Sequence, residues 1–275
     1  MDALTGAMNA MIGFIPNILA AIVILVVYQY RAKRPLLTVR TMLTSTIPVA
    51  GISLALFAAA ASVSATVLTA AALTGHYSPL RIGVLYLPEV AGAVITAVVL
   101  GLVIRKRAMH YLPLVGMVFL AAGILVFAVK VPSSQAATLV GSGLTGIGLG
   151  ATVAPALFVA GFSLPSANLQ RVFAIVELFR AVAAFMVAPI FVYLAANVGG
   201  NPHIGTQIAL WIGFGLAVTG AVVGVALYAL GGARPQTPDL DRFLAGERAA
   251  WYSPPLLARV RGGIAATQIA TESND

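Results

Sequence analysis

The stretch Leu139–Ala154 reads LVGSGLTGIGLGATVA. Gly141, Gly143 and Gly146 satisfy G-x-G-x-x-G, the spacing of a dinucleotide-binding turn, and two readings compete for it. A cofactor turn requires a preceding strand, a helix that opens near the glycines, and an acidic residue about 20 positions on. None of these is evident: the glycines lie inside an apolar run, Ser166 stands where the acid would be, and the next acid is Glu177. The second reading takes Gly146 and Gly150 as G-x-x-x-G, with Ala137, Gly141, Ser142 and Thr145 as further small residues on a membrane helix. In lipid, helices associate through close packing, and small side chains let backbones approach. Pro155 removes one backbone donor from this helix and offers a kink.

Composition favours lipid as the solvent. The chain has 275 residues, 60% hydrophobic and 9% charged, with a mean hydropathy of +0.99. Soluble domains carry about a quarter charged residues, so this chain cannot cover a water-facing surface. Without cysteine there is no disulfide framework, thiolate metal site or cysteine nucleophile. His76, His110 and His203 are far apart, and no H-E-x-x-H spacing occurs. No cofactor and no metal site is expected, and no nucleophile–base pair suggests an enzyme.

Seven apolar runs are long enough for a bilayer core of about 30 Å, which takes about 20 helical residues. They cover roughly Met8–Tyr28, Thr44–Leu73, Leu80–Ile104, Tyr111–Val129, Ala137–Phe162, Leu169–Ala196 and Gly205–Leu230. The expected fold is therefore an all-α membrane protein with seven transmembrane helices. Pro16, Pro48, Pro88 and Pro189 give four further runs the option of a kink.

The net charge of +8 would suggest nucleic acid in a soluble protein. Here the basic residues sit in short loops. Arg31, Lys33, Arg34 and Arg40 follow the first run, Arg105, Lys106 and Arg107 the third, and Arg171 the fifth. Arg234, Arg242, Arg248, Arg259 and Arg261 follow the seventh, whereas the opposite side holds only Arg81 and Lys130. The positive-inside bias then places the N-terminus outside and the C-terminal tail in the cytoplasm. Asp2 is the only charge ahead of the first run. That run lacks the basic start of a signal peptide, so delivery by an upstream segment or a partner is expected.

In the tail, Thr237-Pro238-Asp239 reads as a helix start, followed by Leu240, Phe243 and Leu244 at helical spacing. Either a short surface helix, with Trp251 and Tyr252 at the headgroups, or a solvated disordered tail fits.

Glu89, Glu177 and Arg180 fall inside predicted spans. A charge at mid-bilayer costs at least about 2.5–3.5 kcal/mol, and such residues face protein or water. At about 1.5 Å per residue, Glu89 lies about 13 Å from the outer end of its helix, and Glu177 and Arg180 about 12 and 16 Å from the inner end of theirs. Glu177 and Arg180 are an i,i+3 pair. One reading makes them an internal ion pair that locks a helix. The other makes Glu89 or Glu177 a carboxyl that loads and releases a proton, with Arg180 as a fixed counter-charge. Arg81, at a helix end, is expected to snorkel to the headgroups.

At Arg40-Thr41-Met42 and then GHYSPLRIGVLYLPEVAGAV (75–94) the chain resembles the second half of major facilitator superfamily transporters, nearest to the fourteen-helix drug:proton antiporter branch. Tyr77, Ser78, Pro79, Gly83 and Pro88 match a YSP-x-x-x-G-x-x-x-x-P helix start, and PDLDRFLAGERAAWYSPPLLARVR (238–261) is similar to tails of some bacterial members. Arg105 stands where the family's third-run loop carries aspartate, and Glu89 where an apolar residue is usual. The resemblance implies a linker transmembrane helix with its basic loop (1–35), a six-helix bundle of two inverted three-helix repeats (36–230), and a cytoplasmic tail (231–275). It implies half of a proton-coupled exporter of drug-like small molecules, working by alternating access in the inner membrane. The partner would be a missing N-terminal half or a second copy, with the lipid bilayer around both and no nucleic acid. The competing expectation is a non-transporting remnant or scaffold that binds another membrane protein.

Overall fold

The computed structural model describes residues 39–130 and 134–260 and part of residues 13–31. Among the described residues there is no β-strand, and one isolated antiparallel bridge joins Ser45 to Pro255. The helices are α1 (Val39–Thr44), α2 (Thr46–Leu73), α3 (Pro79–Leu85), α4 (Leu87–Val103), α5 (Leu112–Val129), α6 (Gln135–Phe162), α7 (Leu169–Asn197), α8 (Pro202–Gly231) and α9 (Leu240–Leu244). Taking α3 and α4 together, six helices are long and apolar enough to cross a membrane. Their ends fall within a few residues of the second to seventh predicted runs. The first run, Met8–Tyr28, lies mostly outside the described residues; its described positions are helical.

Local chemistry sets the helix ends. Pro79 and Pro202 open α3 and α8, where a missing N–H costs nothing. The Ser134 hydroxyl and the Asn201 amide oxygen accept from the backbone N–H groups of Ala137 and His203 at 3.2 and 3.0 Å, capping α6 and α8. Gly199 and Gly200 take positive φ in the turn between α7 and α8, and Gly232 (φ +67°) ends α8, a conformation glycine adopts without penalty. The expected kinks resolve differently. Pro48 lies in the first turn of α2 and breaks nothing, while α6 and α7 continue through Pro155 and Pro189. Among the described helices, the segment at Pro88 is the one interrupted; the helix around Pro16 lies largely outside the described residues.

The glycines of α6 are packing positions. A Cβ on Gly146 would strike the Glu89 carbonyl of α4, and one on Gly150 the Thr96 hydroxyl. On the other side of α6, a Cβ on Gly148 would strike the Leu120 backbone of α5, and one on Gly141 would lie 2.6 Å from the Phe127 ring. The neighbours answer in kind: Gly92 of α4 faces Gly143 and Ile147, Gly116 of α5 faces Ala151 and Thr152, and Gly123 faces Thr145. Gly143 itself is less crowded, with Pro88 Cβ at 3.4 Å. The helix is thus pressed between α4 and α5 through two small-residue faces. Leu54, Met117, Ile124, Phe127, Phe191 and Leu210 fill the core between α2, α5, α7 and α8.

Residues 233–260 fold back over one end of the bundle; the expected short helix is present as α9, capped by Asp239, and its Phe243 packs against the bundle. Phe243 and Trp251 are 1% and 3% exposed, packed with Ile47, Leu100, Met109 and Phe162. Trp251 therefore does not sit at the headgroups, whereas Tyr252 is exposed. The cause is the unsatisfied backbone that helix ends leave. Thr46 N–H donates to the Pro254 carbonyl at 2.9 Å, Ile47 N–H to the Ser253 hydroxyl at 3.1 Å, and Ala250 N–H to the Phe162 carbonyl at 2.8 Å. The tail caps the start of α2 and the end of α6 at once. Residues 261–275 lie outside the described residues.

Two predictions follow from this packing. Gly148→Leu forces a side chain onto backbone and should lower unfolding stability in detergent by about 1–3 kcal/mol. Gly215→Ala, with nothing within 4 Å of its Cβ position, should leave stability unchanged; equal effects of the two would disprove the packing assignment. For the tail, burial pushes the His110 imidazole down to about 4. The hydrogen bond from Arg248 holds the Asp239 carboxyl below its ordinary 3.8. In both cases the unfolded tail binds more protons on acidification. Docking should weaken from pH 6.5 down towards 4 through His110, and below 3.8 through Asp239. In a Trp211→Phe background Trp251 is the single tryptophan, and its emission should shift red over this range, with the upper part of the shift abolished by His110→Leu.

Candidate functional site

Pro88 cannot donate to the carbonyl four residues back, and its ring crowds that position. The span breaks there: α3 ends at Leu85, Tyr86 takes φ −96° and ψ −1°, and α4 begins at Leu87. Glu89 N–H turns to the Tyr86 carbonyl at 3.0 Å. The Leu85 carbonyl, released from the helical ladder, accepts from the Ser142 hydroxyl of α6 at 3.0 Å. This is how a broken helix is tolerated in a membrane, with a neighbour's side chain satisfying the freed group.

The break puts Glu89 in the first turn of α4, where the positive end of the helix favours a carboxylate. Its backbone is held against Gly146. Its half-buried side chain lies beside Thr66 of α2. Beside it the Tyr86 hydroxyl bonds the Thr69 hydroxyl and reaches the Thr66 carbonyl at 3.4 Å. Thr66, Thr69, Tyr86 and Glu89 therefore form one polar cluster shared by α2 and the α3–α4 break, and Ser142 of α6 sits on the Leu85 carbonyl next in the chain. The cluster contains a carboxylate, a phenol and two hydroxyls, groups that can pass a proton or orient a polar ligand.

Glu89 makes no ion pair among the described residues. Glu177 and Arg180 do: guanidinium Nε and Nη2 approach Glu177 Oε2 at 2.8 and 2.6 Å. The pair stands on α7 with its side chains 44% and 34% exposed, so it does not lock α7 against a neighbour within this bundle. Glu89 and the ion pair are separate features. Arg81 is exposed and donates to Gln135 Oε1 at 2.8 Å, tying α3 to the start of α6.

The sequence reading singled out Glu89 but missed its partners. Tyr86 was findable, since it lies three residues before Glu89 across Pro88. Thr66, Thr69 and Ser142 come from other helices and carry no local signal. His76 and His203 both line a cavity of about 470 Å³ between α2, α7 and α8. No group of three or more metal-ligating side chains occurs among the described residues.

Ser142→Ala leaves the Leu85 carbonyl unpartnered and should cost about 1 kcal/mol of unfolding stability in detergent, a membrane hydrogen bond being worth about 0.6–1.7 kcal/mol. A neutral result would mean that the break is satisfied otherwise. No family model matches the chain, and no curated protein matches it.

Proposed function

We propose that this chain is half of a proton-coupled exporter of drug-like small molecules of the major facilitator type, and that Glu89 is its proton-loading carboxyl. The observation that carries the reading is the broken α3–α4 span, which sets a carboxylate inside the membrane, in a polar cluster, at a helix start. Discontinuous helices that present such groups near the bilayer midplane are the usual way transporters build ion and substrate sites.

The packing pattern supports the family reading. α2 packs on α8 and α7, and α6 packs on α5 and α4. Exchanging α2 with α6, α4 with α7 and α5 with α8 turns the first pair of contacts into the second. It leaves the α2–α6 and α5–α8 contacts unchanged. These are the pairings that two inverted three-helix repeats require. The α7–α8 contact has no counterpart of similar extent between α4 and α5.

α4 and α7 are the least buried of the six spans, and the Glu177–Arg180 pair is exposed on α7. A charge pair in that position calls for protein or water over it. A second bundle on α4 and α7, from a separate polypeptide or a second copy, would supply that cover and complete an alternating-access pathway. Arg180 is then a fixed counter-charge beside that interface. On this reading the assembly lies in the inner membrane, and the basic loops and tail support an outside N-terminus and a cytoplasmic C-terminus. The exposed pair equally favours the second reading, a scaffold that binds another membrane protein without transporting.

Proteoliposomes carrying the chain, with any polypeptide that co-purifies with it, under an imposed pH gradient and a panel of lipophilic cationic dyes, separate the two. The exporter reading expects gradient-driven dye movement that falls at least tenfold in Glu89→Gln and partly survives in Glu89→Asp. Movement unaffected by Glu89→Gln would remove Glu89 from coupling, and no movement of any dye would favour the scaffold.

A further inference from the structure

The docked tail is a body with bonds of its own. Asp239 N–H donates to the Ala250 carbonyl at 2.9 Å. The Gln236 amide bonds the Tyr252 backbone in both directions, at 3.0 and 3.1 Å. Arg242 and Arg248 hold the Asp239 carboxylate, and α9 lies inside the loop so closed. Separate joints tie this body to the bundle. The Thr46 N–H and hydroxyl donate to the Pro254 and Pro255 carbonyls at 2.9 and 3.0 Å, and Leu256 N–H donates to the Thr44 carbonyl at 2.8 Å. Ala250 N–H reaches the end of α6 at the Phe162 carbonyl, and Arg107 Nε, in the loop between α4 and α5, reaches Thr237. The tail leaves α8 at Gly232, with φ +67°.

The seam between tail and bundle is apolar but incompletely matched. Phe243, Ala250 and Trp251 pack on Ile47, Met109 and Phe162. Among the described residues, the buried side-chain polar atoms that lack a hydrogen-bond partner are both ring nitrogens of His110, the Tyr228 hydroxyl and Trp251 Nε1. All of them lie at this seam: the His110 and Trp251 rings are 4.5 Å apart, and Tyr228 packs against the same cluster. Docking takes these groups out of water and offers them no partner, which costs stability at each one. Undocking returns them to water together, while the bonds inside the tail stay made. A self-bonded body on a poorly matched seam is the kind of unit that opens locally, ahead of the rest of a fold.

We propose that residues 233–260 are a reversible latch, which undocks as one body about Gly232 while the six spans stay folded. Engaged, the latch holds the start of α2, the end of α6 and the loop between α4 and α5 at a fixed spacing. Released, it uncovers the apolar floor of Ile47, Leu100, Met109 and Phe162 and frees those helix ends. The latch is independent of Glu89 and does not rest on the transport reading.

Residue-resolved hydrogen exchange by NMR, on the full chain in detergent at neutral pH, tests this. The amides of Thr46, Ile47, Ala250 and Leu256, whose bonds cross the seam, should exchange through one shared opening, at least tenfold faster than amides of α6 between Gly146 and Thr152. The Asp239 amide, bonded inside the tail, should exchange more slowly than those four. Tyr228→Phe keeps the ring and removes an unmatched hydroxyl; it should slow exchange across the seam at least threefold, and His110→Leu should do the same. The chain has no cysteine, so Ser45→Cys with Pro255→Cys sets a unique pair across the antiparallel bridge, at a spacing disulfides accept. Oxidation of that pair should suppress exchange across the seam, and reduction should restore it. Seam amides as slow as those of α6 would overturn the proposal, because the tail would then open only with the whole bundle. So would seam exchange that is unchanged or faster in both Tyr228→Phe and His110→Leu, or that ignores the oxidised pair. An Asp239 amide as fast as the seam amides would mean that the tail unravels instead of undocking, and would overturn it equally.

Discussion

The structure depends on how closely α6 can approach its two neighbours. Water drives helices together by excluding their apolar faces, but lipid offers no such force, and contact distance decides instead. Along α6 glycine, alanine, serine and threonine dominate the contacts, with Ile147 set against Gly92, so the backbone of α4 rests on one face and that of α5 on the other. Hydroxyls cost nothing in this setting because they bond within their own helices: Thr145 to the Gly141 carbonyl at 3.0 Å and Thr152 to the Gly148 carbonyl at 2.7 Å.

The polar cluster is a consequence of the same contact. Gly146 lets α6 lie against the peptide of Glu89, and one turn earlier Ser142 is carried to the Leu85 carbonyl, which Pro88 has freed. With a larger residue at 146, α6 would stand off, the Leu85 carbonyl of the broken turn would lose its donor, Ser142, and the carboxylate would lose its fixed place. Packing, the helix break and the site are therefore linked by two residues of α6, spaced four apart.

The fold was legible where a single segment carries the signal. Hydropathy alone placed six spans to within a few residues, because a bilayer-crossing helix needs a long uninterrupted apolar run and little else. G-x-x-x-G against G-x-G-x-x-G was decidable because a cofactor turn has requirements outside the motif. What stayed hidden was relational. Pro48 and Pro88 look alike in sequence, yet one falls in a first turn and the other interrupts a span. Trp251 and Tyr252 are adjacent aromatics of similar amphipathic character, yet one is buried and the other exposed, because the tail's course is set by bare helix ends at Thr46, Ile47 and Phe162 far away in the chain. Glu89 was conspicuous as a charge in an apolar run, whereas Thr66, Thr69 and Ser142 are ordinary hydroxyls until three helices bring them together. His110 passed as a loop histidine until the tail closed over it.

The backbone contact between α4 and α6 is the claim on which the site stands, and solid-state NMR in lipid bilayers measures it directly. With glutamate labelled at the carbonyl carbon and glycine at Cα, in a Glu247→Gln background that removes the Gly246 neighbour, Glu89 and Gly146 should give a short-range cross-peak separate from the intrahelical one between Glu89 and Gly92. The same peak should vanish in Gly146→Ala. No such peak in the parent protein, or one that persists after Gly146→Ala, would contradict the arrangement and detach Glu89 from the helix that holds it.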